Sequence, residues 1–208
     1  MVRRIFLAGM IAVGLALVTV QWRPTKAQDT PAIRVEAREP DVVFVPTPHD
    51  VVDKMLQLAR VAKQDIVYDL GCGDGRIVVE AAKRFGCKSW GFDIDPERVK
   101  ESLDNVKKGK VEHLVTIEQQ DIFRLDLRPA NVVMLYLLPE LNVQLIPQLE
   151  KLKPGSRIVS HDFDMEGCKP DKIINMESKE DGMDHEIFLW TIPLTRVPVP
   201  KDEEKEEG

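Results

Sequence analysis

Three glycines two residues apart, Gly71, Gly73 and Gly75, follow the apolar pair Val67-Tyr68 and the acidic Asp69. Glycine lets the backbone take positive φ and lets a ligand approach where a Cβ would intrude. The run 67–76 therefore reads as a strand, a ligand-binding turn and the start of a helix. Its spacing separates two ligand chemistries. A dinucleotide fingerprint, G-x-G-x-x-G/A, needs its third small residue for close helix–strand packing. Arg76 occupies that slot and the third glycine comes one residue early, so the dinucleotide pattern is excluded. Asp93 lies 18 residues beyond Gly75, after the short apolar run 89–92. An acidic side chain at the end of a second strand accepts hydrogen bonds from both hydroxyls of a ribose, at an offset of about 20 residues from such a loop. The nearby Asp95 suits a helix N-cap, with Pro96 at the first helical position.

The elements around these residues alternate as βα units. Helices are predicted over 76–85, with Ile77, Val78, Ala81, Ala82 and Phe85 inward, and over 96–108, burying Val99, Leu103 and Val106. Gly86 and Gly109 stop them. Strands follow at 115–119, 131–138 and 157–161, the middle one apolar enough to be buried on both faces. A helix is predicted over 140–152 with a kink near Pro147. Segments 172–177 and 186–193 are expected to pair antiparallel. Before the glycine loop, Val51, Val52, Met55, Leu56, Leu58 and Ala59 mark another helix. Thr47, Pro48 and Asp50 suit a capping box at its start, and the same segment is placed to fold over the site as a lid. Cys72, Cys87 and Cys168 show neither a disulfide framework nor metal-ligand spacing, and no metal is expected. His49, His113 and His185 read as surface residues.

The pattern D-x-G-x-G-x-G after a strand resembles motif I of the class I S-adenosylmethionine-dependent methyltransferases. That resemblance implies an α/β fold with a doubly wound, seven-stranded, mostly parallel sheet. It implies S-adenosyl-L-methionine as cofactor, held by Asp69, Gly71, Gly73, Gly75 and the ribose acid Asp93, with Asp121 at the adenine amino group and Ile122 and Phe123 beside the ring. Four segments, 44–48, 69–76, 135–139 and 160–163, together resemble bacterial relatives of the mitochondrial ATP-synthase c-subunit lysine methyltransferases. The resemblance covers about residues 41–193 and implies a protein lysine as acceptor. After the fourth strand the chain reads Tyr136-Leu137-Leu138-Pro139, not the Asp/Asn-Pro-Pro-aromatic motif of enzymes that methylate base amino groups. A lysine must lose its proton before attack, from a reference pKa of about 10.4, and an apolar channel penalises its charged form. Tyr136 is the candidate channel wall, and His161 and Asp162 are the candidates for accepting the proton or orienting the amine. Two alternatives stay open: a non-catalytic S-adenosylmethionine-binding module and a small-molecule methyltransferase.

The chain has 208 residues, 43% hydrophobic and 31% charged, enough for one core. Residues 41–195 are expected to form the domain, 28–40 a linker and 196–208 an acidic disordered tail. Residues 1–27 read as a signal peptide or an anchor, since Arg3 and Arg4 precede the uncharged run 5–20 and Thr25-Lys26-Ala27 offers a cleavage site. The pair Arg3-Arg4 also partly resembles a twin-arginine export signal. Such a run spans roughly 24 Å as a helix, short of a hydrocarbon core of about 30 Å. An exported (periplasmic or secreted) or membrane-anchored bacterial protein is expected, attached if at all through residues 5–20, with a membrane-protein lysine within reach. The formal charge of −6 becomes −10 once the four basic residues of 1–27 are removed. That balance disfavours nucleic-acid partners, whose proteins present basic faces.

Overall fold

A computed structural model describes residues 44–198, and all of the elements below lie within one compact unit. The expected termini, residues 1–43 with the signal or anchor segment and 199–208 of the tail, lie outside the described residues. In chain order the elements are α1 (His49–Leu58), β1 (Ile66–Leu70), α2 (Arg76–Phe85), β2 (Lys88–Asp93), α3 (Pro96–Gly109), β3 (Val115–Gln119), a 3₁₀ turn (Ile122–Arg124), β4 (Val132–Leu135), α4 (Pro139–Leu149), β5 (Arg157–His161), β6 (Cys168–Lys169), β7 (Lys172–Glu177), β8 (Asp184–Thr191) and β9 (Thr195–Arg196).

Seven strands form one sheet in the order β3-β2-β1-β4-β5-β8-β7. The first five pair in parallel, and β8 runs antiparallel to both β5 and β7. Successive side chains on a strand point to opposite faces, and the cores follow that alternation. Tyr68, Val133, Leu135 and Ile158 join Leu145, Ile146 and Leu149 of α4 on one face. Val67, Val132, Met134 and Val159 join α1 and α2 on the other. A smaller cluster seats α3 through Val106 against Val78, Ala82 and Val115. Burial of both faces explains why β1 and β4 read as continuous apolar runs.

Most element types match their sequence signals, with informative exceptions. Helix α3 is capped by Asp95, whose carboxylate accepts the Glu97 N–H at 2.8 Å, but Leu103, expected inward, is 42% exposed. Helix α4 starts at Pro139 and ends at Leu149, with Pro147 inside it. The fourth strand ends at Leu135, which frees Tyr136, Leu137 and Leu138 to form a loop. Arg196 and Val197, expected in the tail, belong to the fold. Cys168–Lys169 pairs with Thr195–Arg196, and the Val197 N–H reaches the Gly167 carbonyl at 3.0 Å. A two-residue ladder of this kind carries no periodicity that a sequence could display. All three cysteines are buried free thiols.

Candidate active site

The strand order reverses between β1 and β4, and ligands of open α/β sheets bind beyond the carboxyl ends of strands at such a switch point. A cleft of about 980 Å³ opens there. Its floor is the loop between β1 and α2. The N–H groups of Gly71 and Cys72 both donate to the Phe92 carbonyl, at 2.8 and 2.9 Å, which ties the loop to β2. Gly73 has φ +55, and a Cβ there would lie 2.0 Å from Cε2 of Phe44. Gly75 has φ +75, and its Cβ would lie 2.9 Å from the Ser102 hydroxyl, which donates to the Gly73 carbonyl at 2.7 Å. Neither position tolerates a side chain without displacing a neighbour, Phe44 of the cleft wall at Gly73 and Ser102 of α3 at Gly75.

Asp69, Gly71, Asp93, Asp121 and Ile122 line this cleft, while Gly73 and Gly75 shape it from behind. One carboxylate oxygen of Asp93 accepts the Gly73 N–H at 2.8 Å and the other accepts the Asp95 N–H at 3.0 Å. A carboxylate offers about four acceptor sites, so both oxygens retain capacity for ribose hydroxyls. Burial holds the Asp93 pKa above the ordinary carboxylate range, despite those N–H groups. Asp121 caps the 3₁₀ turn by accepting the Phe123 N–H at 3.0 Å, which places Ile122 and Phe123 on the cleft wall. Asp69 is 2% exposed, and its Oδ2 has no hydrogen-bond partner among the described residues. Burial, then the charges of Asp93 and Asp74, push its pKa up to about 8. An orphaned buried carboxylate oxygen beside a glycine loop and a ribose acid fits a nucleoside that carries a cationic group.

On the opposite side Tyr136, Leu137, Leu138, Leu141 and Phe163 form an apolar wall. Behind it lies a polar cluster. The Tyr136 ring packs on His161 with centroids 4.0 Å apart. The His161 Nδ1 is 3.1 Å from the Thr47 hydroxyl, and its Nε2 is 2.9 Å from Nδ1 of His185. The same His185 nitrogen stands 3.0 Å from the Asp162 carboxylate, and the other ring nitrogen is 3.2 Å from Asp181. Burial lowers the His161 pKa to about 4. For His185 burial acts downward too, but the carboxylates of Asp162 and Asp181 outweigh it and the net shift is upward.

A family model described as the ANTKMT methyltransferase domain matches residues 69–172. A protein-lysine N-methyltransferase of Saccharolobus islandicus (strain REY15A) is 45% identical over 155 residues, covering 74% of this chain and 95% of that protein. The chain belongs to the ANTKMT methyltransferase family. The ATP-synthase c-subunit lysine N-methyltransferase of Xenopus laevis is 28% identical over 170 residues, covering 79% of this chain and 69% of that protein. Among solved structures, an RNA methyltransferase from Salinibacter ruber in complex with S-adenosyl-L-homocysteine is 46% identical, with a TM-score of 0.68, covering 76% of this chain and all of that one. This ANTKMT-family protein is an S-adenosylmethionine-dependent methyltransferase, with the sheet and cofactor that motif I implies.

Within that family assignment, the structure redistributes the roles expected on the acceptor side. Tyr136 does line the cleft, but His161 and Asp162 do not. His161 is fully buried because it is the last residue of β5 and is paired with Ile187 of β8. It reaches the cleft through the Thr47 hydroxyl and the Tyr136 ring, both of which line it. Thr47 makes no helix cap; α1 begins after Pro48 with no side-chain cap, and Asp50 binds Ser178 and Lys179 instead. His185, expected at the surface, is 4% exposed and belongs to the cluster. Arg76 was legible only as the residue that breaks a dinucleotide pattern. It forks onto Asp74 through Nε and Nη2 and donates to the Thr47 carbonyl at 2.7 Å, fastening segment 44–47 across the cleft. Phe44 lines the cleft too, beneath the Arg98 guanidinium at 5.1 Å.

Proposed function

We propose that this methyltransferase transfers a methyl group to the ε-amine of a protein lysine. The observation that carries the proposal is the charge of the cleft. Five aspartates line it, Asp69, Asp74, Asp93, Asp95 and Asp121, against two arginines, and with Asp69 mostly neutral near pH 7 four carboxylates carry the charge. Both arginines are engaged, Arg76 by Asp74 and Arg98 by Glu101 and the Phe44 ring. Such a mouth attracts a cationic side chain and repels a phosphate backbone, since recognition of nucleic acid depends on phosphate contacts from basic groups. The lysine names of the Saccharolobus and Xenopus relatives support this reading. The RNA name of the Salinibacter neighbour sits poorly with the charge.

The cofactor, when bound, supplies a methyl group on a sulfonium. That chemistry would make a nitrogen–carbon bond at the lysine in exchange for the carbon–sulfur bond, with the electron pair left on sulfur and the amine proton lost to solvent. The chain's own work is to hold, desolvate and aim. Asp93, Asp121 and the glycine loop position the nucleoside. Leu137, Leu138 and Phe163 exclude water around the incoming amine and favour its neutral form. The Tyr136 ring face steadies the ammonium before it deprotonates. The amino-terminal segment would then hold the domain at a membrane, where the substrate is a membrane-associated protein. Protease accessibility on intact cells, reading whether residue 28 is a new amino terminus, tests that placement.

Incubation of the full chain with methyl-labelled cofactor and a cell extract tests the acceptor class. Label that protease removes and nuclease leaves supports the proposal. Label confined to RNA or to the small-molecule fraction contradicts it.

A further inference from the structure

We propose that His161, His185 and Asp162 form a binding site for one divalent transition-metal ion of the zinc type. The proposal rests on their geometry and stands apart from the choice of acceptor. Three potential ligand atoms form a closed triangle. The His161 Nε2 is 2.9 Å from the His185 Nδ1 and 3.2 Å from the Asp162 Oδ2, and the His185 Nδ1 is 3.0 Å from that same oxygen.

Protons alone satisfy this triangle poorly. The two nitrogens carry at most one hydrogen each on these atoms and a carboxylate carries none, so three contacts share at most two protons. With one proton, an imidazole lone pair and a carboxylate oxygen face each other across the third edge. With two, a pair of N–H groups converge on one oxygen with their nitrogens 2.9 Å apart. A cation resolves both conflicts by taking all three lone pairs. Donors held about 2.0–2.2 Å from one ion, at the angles of tetrahedral or octahedral coordination, stand about 2.8–3.6 Å apart. All three edges fall in that interval.

The surroundings are those of a metal site. Ligating histidines commonly give their second nitrogen to a carboxylate or another oxygen, which fixes the ring and its tautomer. Here the second nitrogen of His185 meets Asp181 at 3.2 Å, and that of His161 meets Thr47 at 3.1 Å. Both rings are buried, while the Asp162 side chain is 25% accessible and leaves a route from solvent. Asp162 has φ +56, a left-handed conformation for a residue with a side chain. Its N–H donates to the Glu186 carbonyl at 2.7 Å, so the turn aims the carboxylate back across β8 towards His185. Unusual backbone conformations of this kind gather at ligand clamps. These three residues are the group of potential metal ligands found among the described residues. Two imidazoles and one carboxylate select zinc, cobalt or nickel over magnesium or calcium. Three protein ligands leave at least one position for water. An ion here would clamp the end of β5 to β8 and hold His161 against the Tyr136 ring.

The test uses the full chain without an affinity tag, stripped with chelator and titrated with Zn²⁺ calorimetrically and with Co²⁺ by visible absorption. The expected result is one equivalent of Zn²⁺ and a Co²⁺ spectrum of low coordination number with nitrogen and oxygen ligands. His185→Gln and Asp162→Asn are expected to abolish both signals, and Asp181→Asn to weaken Zn²⁺ by about 10- to 100-fold. S-adenosylhomocysteine binding in each variant reports that the domain is folded, because none of the three residues lines the cofactor cleft. Absence of Zn²⁺ binding to the folded wild type overturns the proposal. So does binding that persists undiminished in folded His185→Gln and Asp162→Asn, which would place the ion elsewhere.

Discussion

Binding of S-adenosylmethionine should expel a proton from Asp69. This side chain is buried, its Oδ2 has no hydrogen-bond partner among the described residues, and its pKa is pushed up to about 8 by burial and by Asp93 and Asp74. At neutral pH it is therefore mostly protonated. A cationic ligand in the same cleft favours the carboxylate, so the bound state holds the ionised form and the proton leaves. With a pKa of about 8 in the free protein, the binding-competent fraction is roughly 1 in 100 at pH 6 and 1 in 10 at pH 7, a span of about 1.4 kcal/mol per unit. Affinity should rise about tenfold per pH unit up to about pH 8 and then level off. Calorimetry at about pH 6.5 in buffers of different ionisation enthalpy should give release of close to one proton per ligand. Asp69→Asn should bind more weakly, with its proton release abolished. Equal proton release in wild type and Asp69→Asn, or none in either, would refute the assignment of a neutral Asp69 to the free protein.

The same group bears on stability. An unfolded Asp ionises near pH 3.9 whereas the folded Asp69 stays neutral to about 8. The folded state therefore binds more protons between these values, and apo stability falls as pH rises through that window. Comparison of thermal melts of apo wild type and Asp69→Asn from about pH 5 to 8 should show the wild type losing ground steadily. Gly73→Ala must accept φ +55 and displace the Phe44 ring; left-handed strain alone costs about 1–2 kcal/mol, so S-adenosylhomocysteine affinity should drop at least about tenfold. Arg157→Ala removes the single Nη2 hydrogen bond to the Asp65 carboxylate at 2.6 Å and the Nη1 contact to the Ala59 carbonyl at 2.9 Å. Leaving Asp65 buried and unpaired should cost about 3 kcal/mol in denaturant melts. Tyr136→Ala should raise KM for the protein substrate more than about tenfold while the cofactor Kd stays within about twofold, since a desolvated ring–cation contact is worth about 2 kcal/mol.

The gathering of the glycine loop, Asp93 and Asp121 around one cleft was legible because their signals are local. Gly71, Gly73 and Gly75 share one loop, Asp93 ends β2, and Asp121 follows the end of β3 by two residues as the cap of the 3₁₀ turn. Parallel strands buried on both faces and helices stopped by Gly86 leave similarly short-range marks. The acceptor half was not legible in the same way. Thr47, His161 and His185 are separated by 114 and 24 residues along the chain, and only the β5–β8 pairing and the fold-back of segment 44–47 bring them together. His185 looks solvated in sequence because Asp181, Asp184 and Glu186 surround it, yet strand alternation turns it inward. Thr47 carried a sound local capping signal, and its tertiary bond to His161 prevailed. Arg76 was read for what its bulk excludes, while its hydrogen bond to the Thr47 carbonyl, with the guanidinium held by Asp74, is what fastens the segment 44–47 that lines the cleft.

The central claim, lysine methylation in an acidic cleft, is tested most directly by the identity of the modified residue. Protein labelled by the full chain and methyl-labelled cofactor, once digested and mapped by mass spectrometry, should carry its label as ε-N-methyllysine. Label recovered as a methylated arginine, histidine or carboxylate, or on nucleotides with protein unlabelled, would contradict the account.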